Sequence, residues 1–163
     1  LYVTSKKLEN IAKKDSLTGA WNRFGLDDLT NKSGKLLNDT LIILLDIDDF
    51  KDFNSLKGHD LGDLILKETV TTIESFIKSE ERIVRYGGDE FVVCLSIDSI
   101  PEEFYKNLMT KRTYSLKKYK VTYSMGATKA KKGDILYDKI KLADKAMYTI
   151  KDSTKNGISM IPN

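Results

Sequence analysis

The sequence holds a single cysteine, Cys94, so an internal disulfide is excluded. That cysteine lies in the apolar run Phe91-Val92-Val93-Cys94-Leu95, where a small buried hydrophobe is expected rather than a reactive thiol. No apolar run is long enough to span a bilayer, and no secretory signal is visible, because the start of the chain is amphipathic and rich in lysine. An excess of charge of one sign is also missing. Lys and Arg number 27 and Asp and Glu 24, a net charge of +3, which is too small to argue for nucleic acid as a partner. The densest basic stretch, Lys129, Lys131 and Lys132, reads as a solvated loop. There are no internal repeats, no low-complexity segment and no Walker-type phosphate loop. These absences fit a reducing cytoplasm and a segment with no direct membrane contact.

What is present suits one domain with a proper core: 163 residues, 40% hydrophobic and 31% charged. Residues 1–14 read as a helix with a thin apolar stripe, Leu1, Leu8, Ile11 and Ala12, near seven-residue spacing. The domain proper is expected over 15–163. A short helix is predicted over about 23–30, before the turn signal Asn31-Lys32-Ser33-Gly34. The unbroken apolar run from Thr40 to Leu45 reads as a strand buried on both faces. Leu61, Leu64, Ile65, Thr69, Ile73 and Ile77 recur at helical spacing, which predicts a long helix over 60–78. Runs at 83–86 and 91–97 flank Gly87-Gly88-Asp89-Glu90 and read as a hairpin. Pro101 opens a helix to about residue 112. Alternation over 119–130 predicts a half-buried strand, followed by a helix over 135–151 and a last strand near 158–161. This order suggests an α+β sheet covered by helices.

Two features call for chemistry. The buried strand ends in Asp46 and Asp48, and the hairpin tip carries Asp89 and Glu90. Residues two apart in a strand face the same way, so Asp46 and Asp48 share a face, and a hairpin paired beside that strand lets Asp89 reach Asp46. Crowded carboxylates repel unless a cation sits between them. Oxygen-only ligands favour magnesium, which uses one or two carboxylates plus substrate phosphates. Gly87 and Gly88 are expected to let backbone approach a ligand and to adopt positive φ. An EF-hand reading of the segment from Asp46 fails, because Lys51 and Lys57 stand where that loop needs glycine and glutamate.

These residues resemble a known family. Arg85-Tyr86-Gly87-Gly88-Asp89-Glu90-Phe91 is similar to the GGDEF signature of diguanylate cyclases. Further similar motifs follow in the family's order: Asp15-Ser16-Leu17-Thr18-Gly19-Ala20-Trp21-Asn22-Arg23, then Asp46-Ile47-Asp48-Asp49-Phe50-Lys51, then Asn54 with Gly58-His59-Asp60-Leu61-Gly62-Asp63, then Ser124-Met125-Gly126, and last Ala143-Asp144-Lys145-Ala146-Met147-Tyr148 with Lys151. The resemblance implies a palm-like α+β cyclase fold, with a mostly antiparallel five-stranded sheet and the signature on a β-hairpin. It implies that two GTP molecules become cyclic di-GMP in a homodimer. Asp46, Asp89 and the Ile47 carbonyl would hold Mg2+, with Mn2+ as a substitute. Asp89 or Glu90 would take the proton of the attacking 3′-hydroxyl. Phe50, Lys51, Gly87, Gly88, Lys151 and Lys155 would surround the nucleotide and its phosphates, and Asn54 and Asp63 would read guanine. Lys151 and Lys155 stand one helical turn apart in sequence and are expected to share a face. His59 would structure the loop or touch substrate. The resemblance also implies a sensory domain joined through the helix at 1–14.

The chain departs from the pattern in places. Ser55 stands after Asn54 where aspartate is usual, Ala20 replaces a leucine, and Thr154-Lys155-Asn156 replaces G-R-N, so a lysine stands where arginine would offer a bidentate fork. The positions of the family's inhibitory product site hold Lys78 and Glu81 in place of arginine and aspartate, which implies weak or absent product inhibition. Alternatives to the cyclase are a catalytically weak module that binds GTP or cyclic di-GMP, a cyclase for an adenine-containing dinucleotide, and a pure interaction domain. Intact Asp46, Asp89, Glu90 and Lys51 argue against the first, and Asp63 against the second.

Overall fold

A computed structural model describes residues 2–161. After helix α1 (Tyr2–Lys13) and the short α2 (Arg23–Asp27) come β1 (Thr40–Ile47), α3 (Phe50–Lys57) and α4 (His59–Glu74). The hairpin β2 (Arg82–Arg85) and β3 (Glu90–Ser96) leads to α5 (Pro101–Lys111) and α6 (Tyr114–Lys118). β4 (Tyr123–Ala130), α7 (Leu136–Lys151) and β5 (Gly157–Ile161) complete the order. The five strands form one sheet in the order β2-β3-β1-β4-β5. Only the β4–β5 pairing is parallel, across the α7 connection, so the expected mostly antiparallel sheet is observed.

β1 lies at the centre because every residue after Thr40 is buried. Its side chains alternate between two cores. Leu41, Ile43 and Leu45 meet Ile65, Val70 and Ile73 of α4, Phe104 and Leu108 of α5 and Leu116 of α6. Ile42 and Leu44 face the other way, onto Leu26 of α2 and Leu136, Ile140, Ala143 and Met147 of α7. The unbroken apolar run thus reflects a strand covered by helices on both sides.

Several boundaries differ from expectation. Residues 50–57 form α3, which the sequence reading left without an element. The helix predicted to residue 78 stops at Glu74, where the Ser75, Phe76 and Ile77 N–H groups fold back onto carbonyls of Thr71, Thr72 and Ile73. The strand predicted from residue 119 begins at Tyr123, because α6 and a left-handed Lys120 at φ 54° precede it. In the stripe expected on α1, Leu1 and the Ile11 side chain lie outside what the structure describes.

α7 crosses β4 at backbone distance. A Cβ on Gly126 would stand 1.9 Å from the Ala143 carbonyl oxygen and 2.2 Å from the Met147 nitrogen. Backbone on both sides cannot yield to it. Gly126→Ala should therefore cost about 3 kcal/mol or more, the upper end for overpacking a core. Chemical denaturation of the variant against the parent measures it.

Candidate active site

The antiparallel register sets Asp46 of β1 opposite Glu90 of β3. The Ile47 N–H donates to the Asp89 carbonyl at 3.3 Å, so the hairpin tip stays beside the end of β1. Asp89 lies near enough to Asp46 to raise its carboxyl, and the two line one cleft, the proximity that the sequence predicts. Asp46 is 8% exposed. Burial, reinforced by the neighbouring Asp89 and only partly offset by the Lys151 ammonium, pushes its carboxyl up to about 6. Asp46 Oδ1 is buried and has no hydrogen-bond partner. Glu90 is half-buried, and burial, Asp144 and Asp89 all raise its carboxyl.

Two lysines compensate this negative charge. Lys151, the last residue of α7, places Nζ 2.5 Å from Asp46 Oδ2. That hydrogen bond raises the lysine above its usual range. Lys155 Nζ stands 2.5 Å from Asp49 Oδ1 and is likewise raised by this bond. The expectation of one shared helical face is corrected here. α7 ends at Lys151, and Lys155 lies beyond it in a turn at φ 54°. Both nevertheless line one cleft of about 270 Å3 with Asp46, Ile47 and Asp89.

A second cleft of about 310 Å3 adjoins it, lined by Phe50, Lys51, Asn54, His59, Asp63, Gly88 and Asp89. Phe50, Lys51 and Asp89 belong to both clefts. α3 and α4 meet here at Gly58, whose φ of 90° permits the sharp corner. The corner sets Asn54 and Asp63 on one wall. Asn54 Oδ1 is buried without a partner. Gly62 leaves room for it, since a Cβ there would fall 1.8 Å from this oxygen.

The hairpin tip is tight, with the Tyr86 and Gly87 N–H groups both donating to the Glu90 carbonyl, at 2.8 and 3.0 Å. Neither Gly87 nor Gly88 has the positive φ expected of it. Gly88 instead has open space where a Cβ would stand, at the cleft wall. Arg85 braces the tip by donating from Nη2 to the Gly88 carbonyl at 2.8 Å, while its Nη1 reaches Asp15 at 3.2 Å. Burial pushes the Asp15 carboxyl up, but Thr18 and Arg85 outweigh it and hold the group below its usual range. Asp15 and Arg85 stand 70 residues apart in two separate sequence motifs, and only the fold brings them together as this ion pair.

Asp48, expected in the strand on the face of Asp46, lies just beyond the end of β1 and turns to Ser124 and Thr122, whose hydroxyls donate to it at 2.6 Å each. Lys78 and Glu81 lie elsewhere, beside a small hollow at Phe76 and Phe104. Both Glu81 oxygens are taken by backbone N–H groups, of Lys78 at 2.7 Å and of Ser96 at 2.8 Å.

Two carboxylates, one with a buried orphan oxygen, suit a hard cation that completes its shell with water and phosphate. Among the described residues no group of three or more His, Cys, Asp or Glu could hold a metal unaided. The residues present fit a Mg2+-type partial site, completed by water and phosphate.

The burial of Asp46 also has a stability consequence. A carboxyl raised from 3.8 to about 6 takes up a proton on folding between those values, so stability falls as pH rises through that window. Asp46→Asn (D46N) removes this cost, and the Lys151 ammonium it frees is 42% exposed and readily hydrated. In metal-free buffer near pH 7.5 the variant should melt higher than the parent, by roughly 2–4 °C for each kcal/mol regained. The difference should shrink as pH falls from about 6 and close below 3.8, where Asp46 is neutral in the folded and the unfolded chain alike. Thermal melts across pH read it directly.

Comparison with known proteins agrees with this geometry. The family model described as "Diguanylate cyclase, GGDEF domain" matches residues 12–157. The chain is 34% identical over 157 residues to uncharacterized protein YtrP of Bacillus subtilis, covering 92% of this chain and 26% of that one. It is 33% identical over 142 residues to diguanylate cyclase A of Treponema denticola, covering 82% and 38% respectively. It thus spans about a quarter to two-fifths of these relatives' length. A solved microbial GGDEF domain that interacts with cyclic di-GMP superposes with a TM-score of 0.78 at 26% identity, over 94% of this chain and 99% of that one. Acids at the end of β1 and at the β2–β3 tip, helices on both faces of the sheet and these matches lead to one conclusion: the chain belongs to the GGDEF domain family of diguanylate cyclases.

Proposed function

We propose that the chain condenses two GTP molecules into cyclic di-GMP and two pyrophosphates, acting as a homodimer in the cytoplasm. One observation carries this reading. Asp46, one of whose oxygens is buried without a partner, lines one cleft with Asp89, Lys151 and Lys155, and Asp89 also lines the adjoining cleft with Asn54 and Asp63. Asp46, Asp89 and the Ile47 carbonyl would hold Mg2+ or Mn2+, which when bound neutralises triphosphate charge and polarises the α-phosphate.

The chain's own residues do the rest. Lys151 and Lys155 exchange their carboxylate partners for phosphate oxygens, and Lys51 meets the nucleotide at the wall common to both clefts. Gly87 and Gly88 keep the tip free of side chains, so nucleotide can lie against backbone. Guanine presents N–H donors at N1 and N2, which the Asp63 carboxylate accepts, and Asn54 adds a further polar group. Adenine turns a lone pair toward that carboxylate and is repelled, a difference of about 1–3 kcal/mol. Phe50 closes the wall between base and phosphates, and His59 borders the base. Asp89 or Glu90 accepts the proton of the 3′-hydroxyl, and the raised Glu90 carboxyl brings that group nearer the operating pH. The 3′-oxygen bonds to the α-phosphorus of the other GTP while the bond to the β-phosphate oxygen breaks. Two such steps close the ring. One domain holds one nucleotide, so the second 3′-hydroxyl comes from a second copy. The helix α1 is the natural joint to an upstream sensory domain.

With Mg2+ and GTP, a chain dimerised through a fused coiled coil should form cyclic di-GMP, identified by chromatography and mass, and should form no product from ATP alone. D46N and D89N should each lower the rate by about 10³-fold, as loss of a major electrostatic stabiliser does. No product from the dimerised parent would sink the reading.

Product feedback should also be absent at Lys78. The Glu81 carboxylate is consumed by backbone donors, and a lysine cannot fork onto guanine. Calorimetric titration with cyclic di-GMP should give the same isotherm for the parent and Lys78→Ala. A tight site lost in that variant would refute it.

A further inference from the structure

The chemistry above leaves Asp48 without a task, yet it is the most fully bonded acid at the end of β1. Oδ1 accepts from the Ser124 hydroxyl at 2.6 Å. Oδ2 accepts from the Thr122 hydroxyl at 2.6 Å and from the Asn156 N–H at 3.0 Å. The two hydroxyls, both from the β4 side, fix the direction of the carboxylate. The third donor belongs to the turn that follows α7.

That turn is unusual. Lys155 and Asn156, both L residues with side chains, stand consecutively at φ 54° and 45°. L residues hold the left-handed region only at a cost, so the surroundings must over-determine it. Three bonds do so. The Lys155 N–H donates to the Ile150 carbonyl at 2.8 Å, the Tyr105 hydroxyl donates to Asn156 Oδ1 at 2.7 Å, and Asp48 receives the Asn156 N–H. Of these, only the Asp48 bond is charge-assisted, and such bonds are roughly twice as strong as neutral ones. The result places Lys155 at the phosphate cleft, against Asp49.

We propose that Asp48 is a positioning residue, which holds the Lys155–Asn156 turn in its left-handed form and thereby aims Lys155 at the triphosphate. The statement about the triphosphate rests on the GTP reading above; the statement about the turn does not. Without the Asp48 acceptor, the Asn156 N–H loses its partner and the two residues relax to commoner backbone angles. Lys155 then leaves the cleft. A role through Lys155, rather than in general stability, predicts that the effect of Asp48 on nucleotide binding disappears once Lys155 is gone.

The test combines a double-mutant cycle with hydrogen exchange. GTP affinity with Mg2+ is measured by calorimetry for the parent, D48A, K155A and D48A/K155A, and amide exchange is followed over 154–157. D48A should bind GTP roughly tenfold more weakly, a loss of one phosphate contact. The double variant should bind no more weakly than K155A. The Asn156 amide should exchange faster in D48A while β1 and β4 stay protected. D48N should stay near the parent, because its amide oxygen can serve Asn156 while its nitrogen donates to a hydroxyl. Should D48A not fold, D48S, whose hydroxyl stops short of Asn156, takes its place. Additive losses in the double variant, or unchanged exchange at Asn156, overturn the proposal. A parent that binds no GTP defeats the cyclase reading instead, and the exchange result alone then decides whether Asp48 holds the turn.

Discussion

The antiparallel register between β1 and β3 is the constraint on which this molecule depends. It puts Asp46 opposite Glu90 and brings Asp89 alongside, three acids at one end of a sheet. The Lys151 ammonium offsets that crowding only in part. The register is held by the two cores that β1 separates, with Leu41, Ile43 and Leu45 on one face and Ile42 and Leu44 on the other. A slip of one residue would send each set to the wrong core and turn Asp46 toward the face of α4. Hydrophobic burial therefore specifies the position of the acids, and the same contacts that stabilise the fold hold the carboxylates together.

The elements around the acids are placed by equally rigid means. α7 lies on bare backbone at Gly126, so the end of that helix, with Lys151, has little freedom relative to β1. The Gly58 corner fixes Asn54 against α4, and Gly62 yields the space its oxygen needs. The hairpin tip is braced from outside by Arg85, itself held by Asp15. Helix packing, a glycine corner and an ion pair thus converge on one place. The polar atoms left unpartnered there, Asp46 Oδ1 and Asn54 Oδ1, are the two such buried side-chain atoms among the described residues. Their location in adjoining clefts supports the nucleotide site proposed there.

Much of this was readable in the amino-acid order, and the rest was hidden for physical reasons. β1 announced itself because burial on both faces leaves an unbroken apolar run, and α7 because one face meets the sheet. α3 was missed: its eight residues carry too few turns for a periodic signal, and it begins after a left-handed Asp49 that no pattern reveals. Strand parity placed Asp46 and Asp48 on one face but could not say that Ser124 and Thr122 would claim the second acid. The proximity of Lys155 to Lys151 was anticipated for a helical reason, whereas a turn beyond the helix accounts for it. The glycines of the signature lack the positive φ expected of them, and Gly88 has open space at the cleft wall. Motif and periodicity found the elements and the chemistry, but partners set by tertiary contact had to be seen.

The segment that joins α1 to α2 runs along the outer edge of β2. The Trp21 N–H donates to the Ile83 carbonyl at 3.1 Å, and the Arg85 N–H donates to the Trp21 carbonyl at 2.7 Å. The indole is clasped between Lys14 and Arg82, 3.7 and 3.8 Å from the ring centroid. A border strand covered in this way offers no template on which another polypeptide could add itself to the sheet. Any partner that meets this flank must therefore be recognised through side chains rather than by strand pairing.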